Sequence, residues 1–320
     1  QSCGIITMYD LNGGHVMKTK IASILLIFTF LLQLLGICPV EPENPDLLNI
    51  DWIEYKSAKV DIERLLSWKR NRGSYPPNPD NDIDPSGYSR KALSWSFRRM
   101  KDHKQSQSYA PFDINEFDAY FINPYVSEDK VIYLTFDCGY EYKNCTEKIL
   151  NILKEKHVNA CFFVTKQFVK SDYSLCVRMK NEGHIIGNHT MNHPNLAKCD
   201  DKTLDSEING LDDYLYEKAG IHLDGFLRPP EGAYSEYTLA KAKQYGYKTI
   251  FWSMAYMDWN TNDQPGADYV LEHVKTYHHN GAIILMHAIS ESNVEALPDV
   301  IDYLLMQGYR FGTLNELSDR

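Results

Sequence analysis

The chain has 320 residues, with 43 acidic and 33 basic side chains and a formal net charge of −10. Hydrophobic residues make up 43% of the sequence, which supplies a sizeable core and excludes wholesale disorder. The acidic balance excludes nucleic acid as a partner, because no basic stripe is available to neutralise phosphates.

The N-terminal region is typical of an export signal. Two lysines follow Met17, and the largely apolar run 21–35 is shorter than the roughly 20 residues of a membrane span. We expect Met17 to be the true start, which makes residues 1–16 an upstream translation artefact. Residues 17–38 are predicted to be a signal peptide or an N-terminal membrane anchor. The sequence leaves cleavage, lipidation and retention open.

Residues 39–90 are predicted to be a linker and a small helical extension. Residues 39–50 are rich in Pro, Glu and Asn, residues 47–68 carry apolar side chains at helical spacing, and residues 74–87 form a proline-rich loop. The orderly pattern that follows predicts one domain over residues 91–320.

In this domain, short apolar runs alternate with segments of helical periodicity. The apolar runs are 131–137, 160–164, 185–188, 226–228, 249–254, 282–287 and 309–314. The helical segments include 146–156, 201–219, 235–245 and 293–307, and a glycine stands at several of the expected helix-to-strand junctions. This pattern predicts an α/β fold, a distorted and incomplete (β/α) barrel of about seven parallel strands. The absence of a glycine-rich phosphate motif disfavours a dinucleotide-binding sheet.

Ionisable residues stand at the ends of five predicted strands, where parallel α/β folds place their sites. They are Asp137 with Cys138, His189, Arg228, Asp258 with Trp259, and His287. His189 and His193 have a spacing that lets two imidazoles reach one metal ion, and an added carboxylate would suit zinc or a similar divalent ion. The alternative is structural: an ion network at the barrel rim, a buried core histidine at 287 and simple packing by Trp259.

Five segments resemble, in order, the motifs of the NodB-type polysaccharide deacetylases, or carbohydrate esterase family 4. They are TFDCGY at 135–140, HTMNH at 189–193, RPPEG at 228–232, DW at 258–259 and LMH at 285–287. The resemblance implies a distorted (β/α) barrel that removes N-acetyl groups from amino sugars. Within the family the chain most resembles the peptidoglycan N-acetylmuramic acid deacetylases that prepare muramic δ-lactam in spore cortex.

The resemblance implies a role for each matching residue. Asp137 is the general base that activates water, and Arg228 pairs with it. His189 and His193 bind a divalent metal ion, which we expect to be zinc. His287 protonates the leaving amine. Asp258 tunes the pKa of His287, and the N–H of Glu231 stabilises the oxyanion. Trp259 and Leu285 form the walls of the acetyl pocket. Apart from these implied roles, we expect Tyr140 to contact the substrate.

Cys138 departs from the family pattern, in which this position is usually an aspartate metal ligand and in the muramic acid subgroup often asparagine. A thiolate at this position could bind zinc, or the thiol could be neutral and take no part in metal binding. We favour the neutral thiol. Glu231 also departs, because a basic or aromatic side chain is common at its position. We expect its negative charge to affect substrate choice near a lactyl carboxylate.

These features predict an exported, monomeric deacetylase acting on peptidoglycan glycan strands, most of all on N-acetylmuramic acid that lacks its peptide. The expected location is the cell wall or the outer face of the membrane, including the forespore intermembrane space, with membrane association through the N-terminal apolar segment. The alternatives are an N-acetylglucosamine deacetylase of peptidoglycan or chitin-type polymers, and a non-catalytic protein that binds cell-wall glycan.

Overall fold

The computed structural model describes residues 83–126 and 129–318. The predicted translation artefact, the export signal and most of the predicted extension lie outside the described residues. The part of the extension that is described, residues 83–90, contacts the domain: the backbone of Ser89 bonds to Tyr237 and Glu236, and Arg90 pairs with Asp201. In the described part of the chain, no helix has the length and apolar character that crossing a bilayer requires.

The sheet at the centre of the domain is parallel throughout. In chain order the strands are β1 (Leu93–Ser94), β2 (Phe97–Arg98), β3 (Gln107–Ser108), β4 (Ala119–Tyr120), β5 (Val131–Cys138), β6 (Cys161–Val164), β7 (Ile185–Asn188), β8 (Phe226–Leu227), β9 (Ala233–Tyr234), β10 (Lys248–Ile250), β11 (Ala282–His287) and β12 (Arg310–Phe311). The central sheet runs β11-β5-β6-β7-β8-β10-β4, and β12 also pairs with β5. The predicted distorted, incomplete barrel is confirmed, and β4 is a parallel strand that the apolar runs did not reveal.

The distortion of the barrel has a visible cause in its hydrogen bonding. β7 and β8 pair through one residue couple, Asn188 and Leu227, where β5 and β11 share six. Beyond the end of β10, Met254 forms an isolated bridge with Ile284, and its carbonyl accepts a hydrogen bond from the N–H of Leu285. The short strands and sparse pairing therefore curve the sheet, so that the segment after β10 contacts β11.

Helices cover the outside of this sheet. They are α1 (Cys145–Glu155), α2 (Lys166–Ser171), α3 (Tyr173–Asn181), α4 (Asp201–Ala219), α5 (Glu236–Gln244), α6 (Ala267–Tyr277) and α7 (Glu291–Met306). The long helix α4 begins where the side chain of Asp200 accepts the N–H of Thr203 and ends at Gly220, whose φ of 69° suits glycine. The short helices α2 and α3 were not predicted, because so few turns give little periodicity.

The two faces of β5 meet different surroundings, and this alternation positions the site. Ile132, Leu134, Phe136 and Cys138 pack in the core beneath the helices, whereas Val131 and Tyr133 belong to the cluster inside the barrel. Towards its end the inner face becomes polar, with Thr135 and Asp137. Side chains of opposite character therefore leave the same strand end in opposite directions.

Candidate active site

A cleft of about 1020 Å³ opens at the carboxyl ends of the parallel strands. Eight of the eleven predicted site residues line it: Asp137, Tyr140, His189, His193, Glu231, Trp259, Leu285 and His287. Arg228 and Asp258 lie fully buried behind this lining. Cys138 is the one predicted site residue that the structure directs away from the cleft.

Arg228 forms a buried ion pair with Asp137. Its Nη1 lies 2.8 Å from Asp137 Oδ1, and its Nη2 donates to Thr135 Oγ1 at 2.8 Å. The guanidinium is completely buried and stacks 4.3 Å from the centre of the Phe163 ring. A buried guanidinium with these partners cannot move away from the carboxylate without losing several bonds, so the position of Asp137 is well defined.

The second carboxylate oxygen of Asp137, Oδ2, faces the cleft. Asp137 Oδ2 lies 3.5 Å from His189 Nε2, beyond hydrogen-bond length. Burial alone would raise the pKa of Asp137, but the charge of Arg228, followed by the electrostatic effects of His189 and His287, lowers it below its ordinary value. The carboxylate is therefore ionised at neutral pH, with one oxygen available to accept a proton.

His189 and His193 present imidazole rings to the same part of the cleft. Their ring centres are 4.9 Å apart at an interplanar angle of 79°. The Nδ1 of His189 lies 2.8 Å from the carbonyl oxygen of Arg228, which directs its Nε2 towards the cleft. Burial lowers the pKa of His189 to about 4. This imidazole is therefore neutral at physiological pH, the form that binds metal ions.

Asp258 holds His287 on the other side of the cleft. Its Oδ1 lies 2.6 Å from His287 Nδ1, and its Oδ2 accepts the backbone N–H of His287 at 2.8 Å. Asn293 completes the arrangement: its Nδ2 donates to Asp258 Oδ2 at 2.7 Å, and its Oδ1 accepts the hydroxyl of Tyr256 at 2.8 Å. Both oxygens of Asp258 are thus occupied, which leaves His287 as the group that faces the cleft.

The surroundings of His287 favour its charged form. Burial alone would lower its pKa, but the hydrogen bond and charge of Asp258, together with the charge of Asp137, raise the pKa above the ordinary histidine value. An imidazolium is therefore favoured near neutral pH, while Asp137 in the same cleft is ionised. The cleft holds a base and an acid at once.

Cys138 takes no part in this arrangement. The residue after an inward-facing Asp137 points outward, and its side chain is fully buried in the core beneath the helices. Burial raises the pKa of its thiol well above the ordinary value. Strand alternation turns the sulfur away from both histidines, so we keep the neutral thiol without a metal-binding role as our prediction for Cys138.

The other predicted contacts form the walls of the cleft. Trp259 and Tyr140 are 51% and 42% exposed, so their rings are free to stack on a sugar. Leu285 is buried at the base. Glu231 is exposed and has a φ of 57°, a left-handed conformation that is uncommon for a side chain other than glycine.

Nine further cleft residues had no predicted role, although three of them lie inside the quoted motifs. They are Gly139, Thr165, Lys166, Gln167, Lys170, Met191, Asn192, Trp252 and Ile289. Four of them belong to the segment 165–170, which follows β6. The position of this segment after an apolar run was the available signal, since every strand end faces the same edge. Asn293 lies on α7 and reaches the site only through tertiary packing.

The comparisons with known proteins agree with this geometry. Residues 125–250 match the family described as Polysaccharide deacetylase. The chain is 40% identical over 227 residues to the peptidoglycan-N-acetylmuramic acid deacetylase PdaA of Bacillus subtilis, covering 70% of this chain and 85% of that protein. The chain belongs to the polysaccharide deacetylase family.

Two further similarities support the same family. This polysaccharide deacetylase is 34% identical over 212 residues to a peptidoglycan-N-acetylglucosamine deacetylase of Bacillus cereus, covering 65% of this chain and 74% of that one. The solved structure of Bacillus subtilis PdaA, a family 4 carbohydrate esterase, matches with a TM-score of 0.67 and 39% identity over 72% of this chain and 97% of that one. The resemblance read from the motifs is confirmed, and the chain is a deacetylase, a hydrolase.

Deacetylases of this family are generally metal-dependent. Across residues 83–126 and 129–318, no three His, Cys, Asp or Glu side chains are grouped so as to hold a metal ion. The neutral His189, with its Nε2 directed into the cleft by the Arg228 carbonyl, and the adjacent His193 fit two of the ligands that a hydrolytic ion needs. The donor set therefore suits an ion that keeps other positions for water and substrate.

Proposed function

We propose that this deacetylase hydrolyses the N-acetyl group of N-acetylmuramic acid residues in peptidoglycan that lack their peptide, towards muramic δ-lactam in spore cortex. The observation that carries the chemistry is the presence of an ionised Asp137 and a protonation-favoured His287 in one cleft. The substrate is supported by the 40% identity to a protein named for N-acetylmuramic acid deacetylation.

The reaction begins at Asp137. Its free Oδ2 accepts a proton from a water molecule, whose oxygen attacks the acetamide carbonyl carbon. Arg228 keeps the carboxylate ionised and oriented while the proton is transferred. His189 and His193 would hold a divalent ion, for which we propose zinc, and such an ion lowers the pKa of water and polarises a carbonyl.

His287 completes the reaction on the other side. As the carbon–nitrogen bond breaks, the imidazolium donates its proton to the leaving nitrogen, so that an amine and acetate are released. Asp258 fixes the ring through Nδ1, which leaves Nε2 for the transfer. We assign to the backbone N–H of Glu231 the stabilisation of the oxyanion that forms in between. The freed amine then lies next to the lactyl carboxylate with which a lactam closes.

The cellular setting is part of this proposal. We propose that the chain is exported, through the apolar segment at 21–35, to the cell wall or the outer face of the membrane, and that it acts as a monomer on glycan strands. An open cleft with 42–51% exposed aromatic side chains at its walls suits a polymer substrate.

The test is acetate release by the purified chain from peptide-stripped cortex glycan, with mass spectrometry of the product. We expect release that a chelator abolishes and added zinc restores. Release from N-acetylglucosamine polymers but not from muramic acid would favour the alternative substrate. Binding to either glycan without acetate release, after metal loading, would contradict the enzyme and support the glycan-binding alternative.

A further inference from the structure

Two lysines line the cleft without an acidic partner. Lys166 and Lys170 stand four residues apart on α2, which directly follows β6, and both contribute to the cleft lining. Lys170 is exposed and Lys166 is half-buried, with its Nζ 5.4 Å from the centre of the Tyr214 ring. Among the ion pairs of the described residues, neither lysine takes part in one.

This pair is unfavourable for the free protein. Like charges at a spacing of four residues on a helix repel each other and destabilise it slightly. Several other described lysines are paired with carboxylates, for example Lys143 with Glu291 and Lys156 with Asp302. Two cations left facing a cleft, in a chain with a net charge of −10, are best explained by an anionic ligand.

The order of the strands separates these cations from Glu231. The sheet runs β5-β6-β7-β8, so the lysines follow the strand next to Asp137, whereas Glu231 follows β8, two strands away. Asp137 is itself neutralised by Arg228. The cleft is therefore positive on the α2 side and negative at Glu231, with the two histidines after β7 in between.

We propose that Lys166 and Lys170 form a carboxylate-binding wall that selects amino sugars bearing a free acid next to the acetamido group. This inference rests on the proposed function and deepens it. The lactyl ether of muramic acid stands on the carbon adjacent to the one that bears the acetamide, so its carboxylate is close to the reacting centre. With the acetamide at Asp137, the acid points to α2, and the opposite orientation brings it towards Glu231, where like charges repel.

The wall also explains why the peptide has to be absent. A stem peptide is joined to the lactyl group as an amide, which removes the negative charge and adds bulk. The two lysines would then have no lactyl carboxylate to bind. Selection for peptide-free muramic acid follows from the lactyl carboxylate, which only the peptide-free form carries beside the reacting acetamide.

The test compares two glycans that differ in one charge: peptide-stripped glycan with free lactyl carboxylates, and the same glycan after methyl esterification. We expect the wild type to favour the free acid in kcat/KM, mainly through KM. The variant Lys166→Gln/Lys170→Gln should lower the ratio of acid to ester about tenfold, and Lys170→Gln alone about threefold. The preference should also weaken with added salt, because exposed charges are screened.

The matched control is Lys101→Gln/Lys104→Gln, which removes the same charge from exposed positions outside the cleft. The control should keep the wild-type ratio. The proposal is overturned if the acid-to-ester ratio of the cleft variant stays within twofold of wild type. It is also overturned if the ratio falls equally in the control. If the chain releases no acetate at all, the proposed function fails instead, and calorimetric binding of acid and ester glycans to the same variants still decides the inference.

Discussion

The two sides of the cleft use the same residue type in opposite ways. On one side Asp137 has one oxygen bonded to Arg228 and the other directed at the cleft. On the other side Asp258 has both oxygens occupied, by His287 and Asn293, and is completely buried. We call these the base side and the acid side.

The difference shows that the number of free lone pairs, more than the residue type, decides what a carboxylate does. A carboxylate with a free oxygen can take a proton from water, whereas one with no free oxygen can only orient and charge its neighbour. The pKa values of Asp137 and His287 move apart accordingly, the first down and the second up. Three substitutions test this division and a fourth tests the place of Cys138, in order of expected effect.

Asp137→Asn should remove the base while keeping the shape of the side chain. We expect kcat for acetate release to fall about 10³-fold, since general base catalysis contributes 10²–10⁴, with little change in KM. Stopped assays with acetate quantification measure this. Thermal unfolding of the variant serves as the folding control, and a variant that keeps full activity would show that Asp137 is not the base.

Asp258→Asn should weaken the acid side without touching the base. Because Asp258 raises the pKa of His287, its removal lowers that pKa, and the fraction of imidazolium at pH 7 falls. We expect kcat to fall about 10²-fold and the alkaline limb of the pH profile to move to lower pH, with the acid limb unchanged. Asp263→Asn, at an exposed position of the same loop, is the control. An alkaline limb that stays in place contradicts the assignment.

Asn293→Ala should affect the reaction only indirectly, through Asp258. It removes one of the bonds to Asp258 Oδ2 and leaves the hydroxyl of Tyr256 without its acceptor. We expect about a fivefold loss in kcat/KM, and a loss of stability of about 1–3 kcal/mol from buried polar groups left unpaired. Asn293→Asp would place a second charge beside Asp258 and should be worse than alanine. Unfolding and activity data that reverse this order would argue against the network.

Cys138→Ala should have the smallest effect on activity. The thiol lies in the core beneath the helices, so acetate release and zinc affinity should stay within about twofold of wild type, while stability falls by about 1 kcal/mol. His193→Ala, assayed beside it, should lose most of the zinc affinity. Equal losses of zinc in the two variants would return Cys138 to the metal site.

Much of the site could be predicted because its residues follow buried strands. Apolar runs located β5, β7 and β11 to within one residue, and Asp137, His189 and His287 stand at or just after their ends. The carboxyl ends of parallel strands share one edge, so the neighbourhood of these side chains followed from the fold class. The direction of Cys138 was also predictable in principle, since strand alternation alone turns it away from Asp137.

The residues that escaped prediction depend on tertiary contacts. Asn293 stands in the first turn of α7, where an asparagine is unremarkable until the helix packs against Asp258. Lys166 and Lys170 resemble ordinary solvated lysines of a short helix, and only the placement of α2 at the strand edge gives them a cleft to face. A strand-end rule extended to the whole of a short following helix would have found both lysines.

The most direct test of the division between base side and acid side varies the leaving group. Wild type, Asp137→Asn and His287→Gln, equally loaded with metal, are compared on an N-acetylated glycan and on 4-nitrophenyl acetate, whose leaving group departs without protonation. We predict that the Asp137 variant loses activity equally on both substrates, whereas the His287 variant loses it on the amide and is largely restored on the ester. A His287 variant equally impaired on both substrates, or an Asp137 variant rescued by the ester, would contradict the assignment.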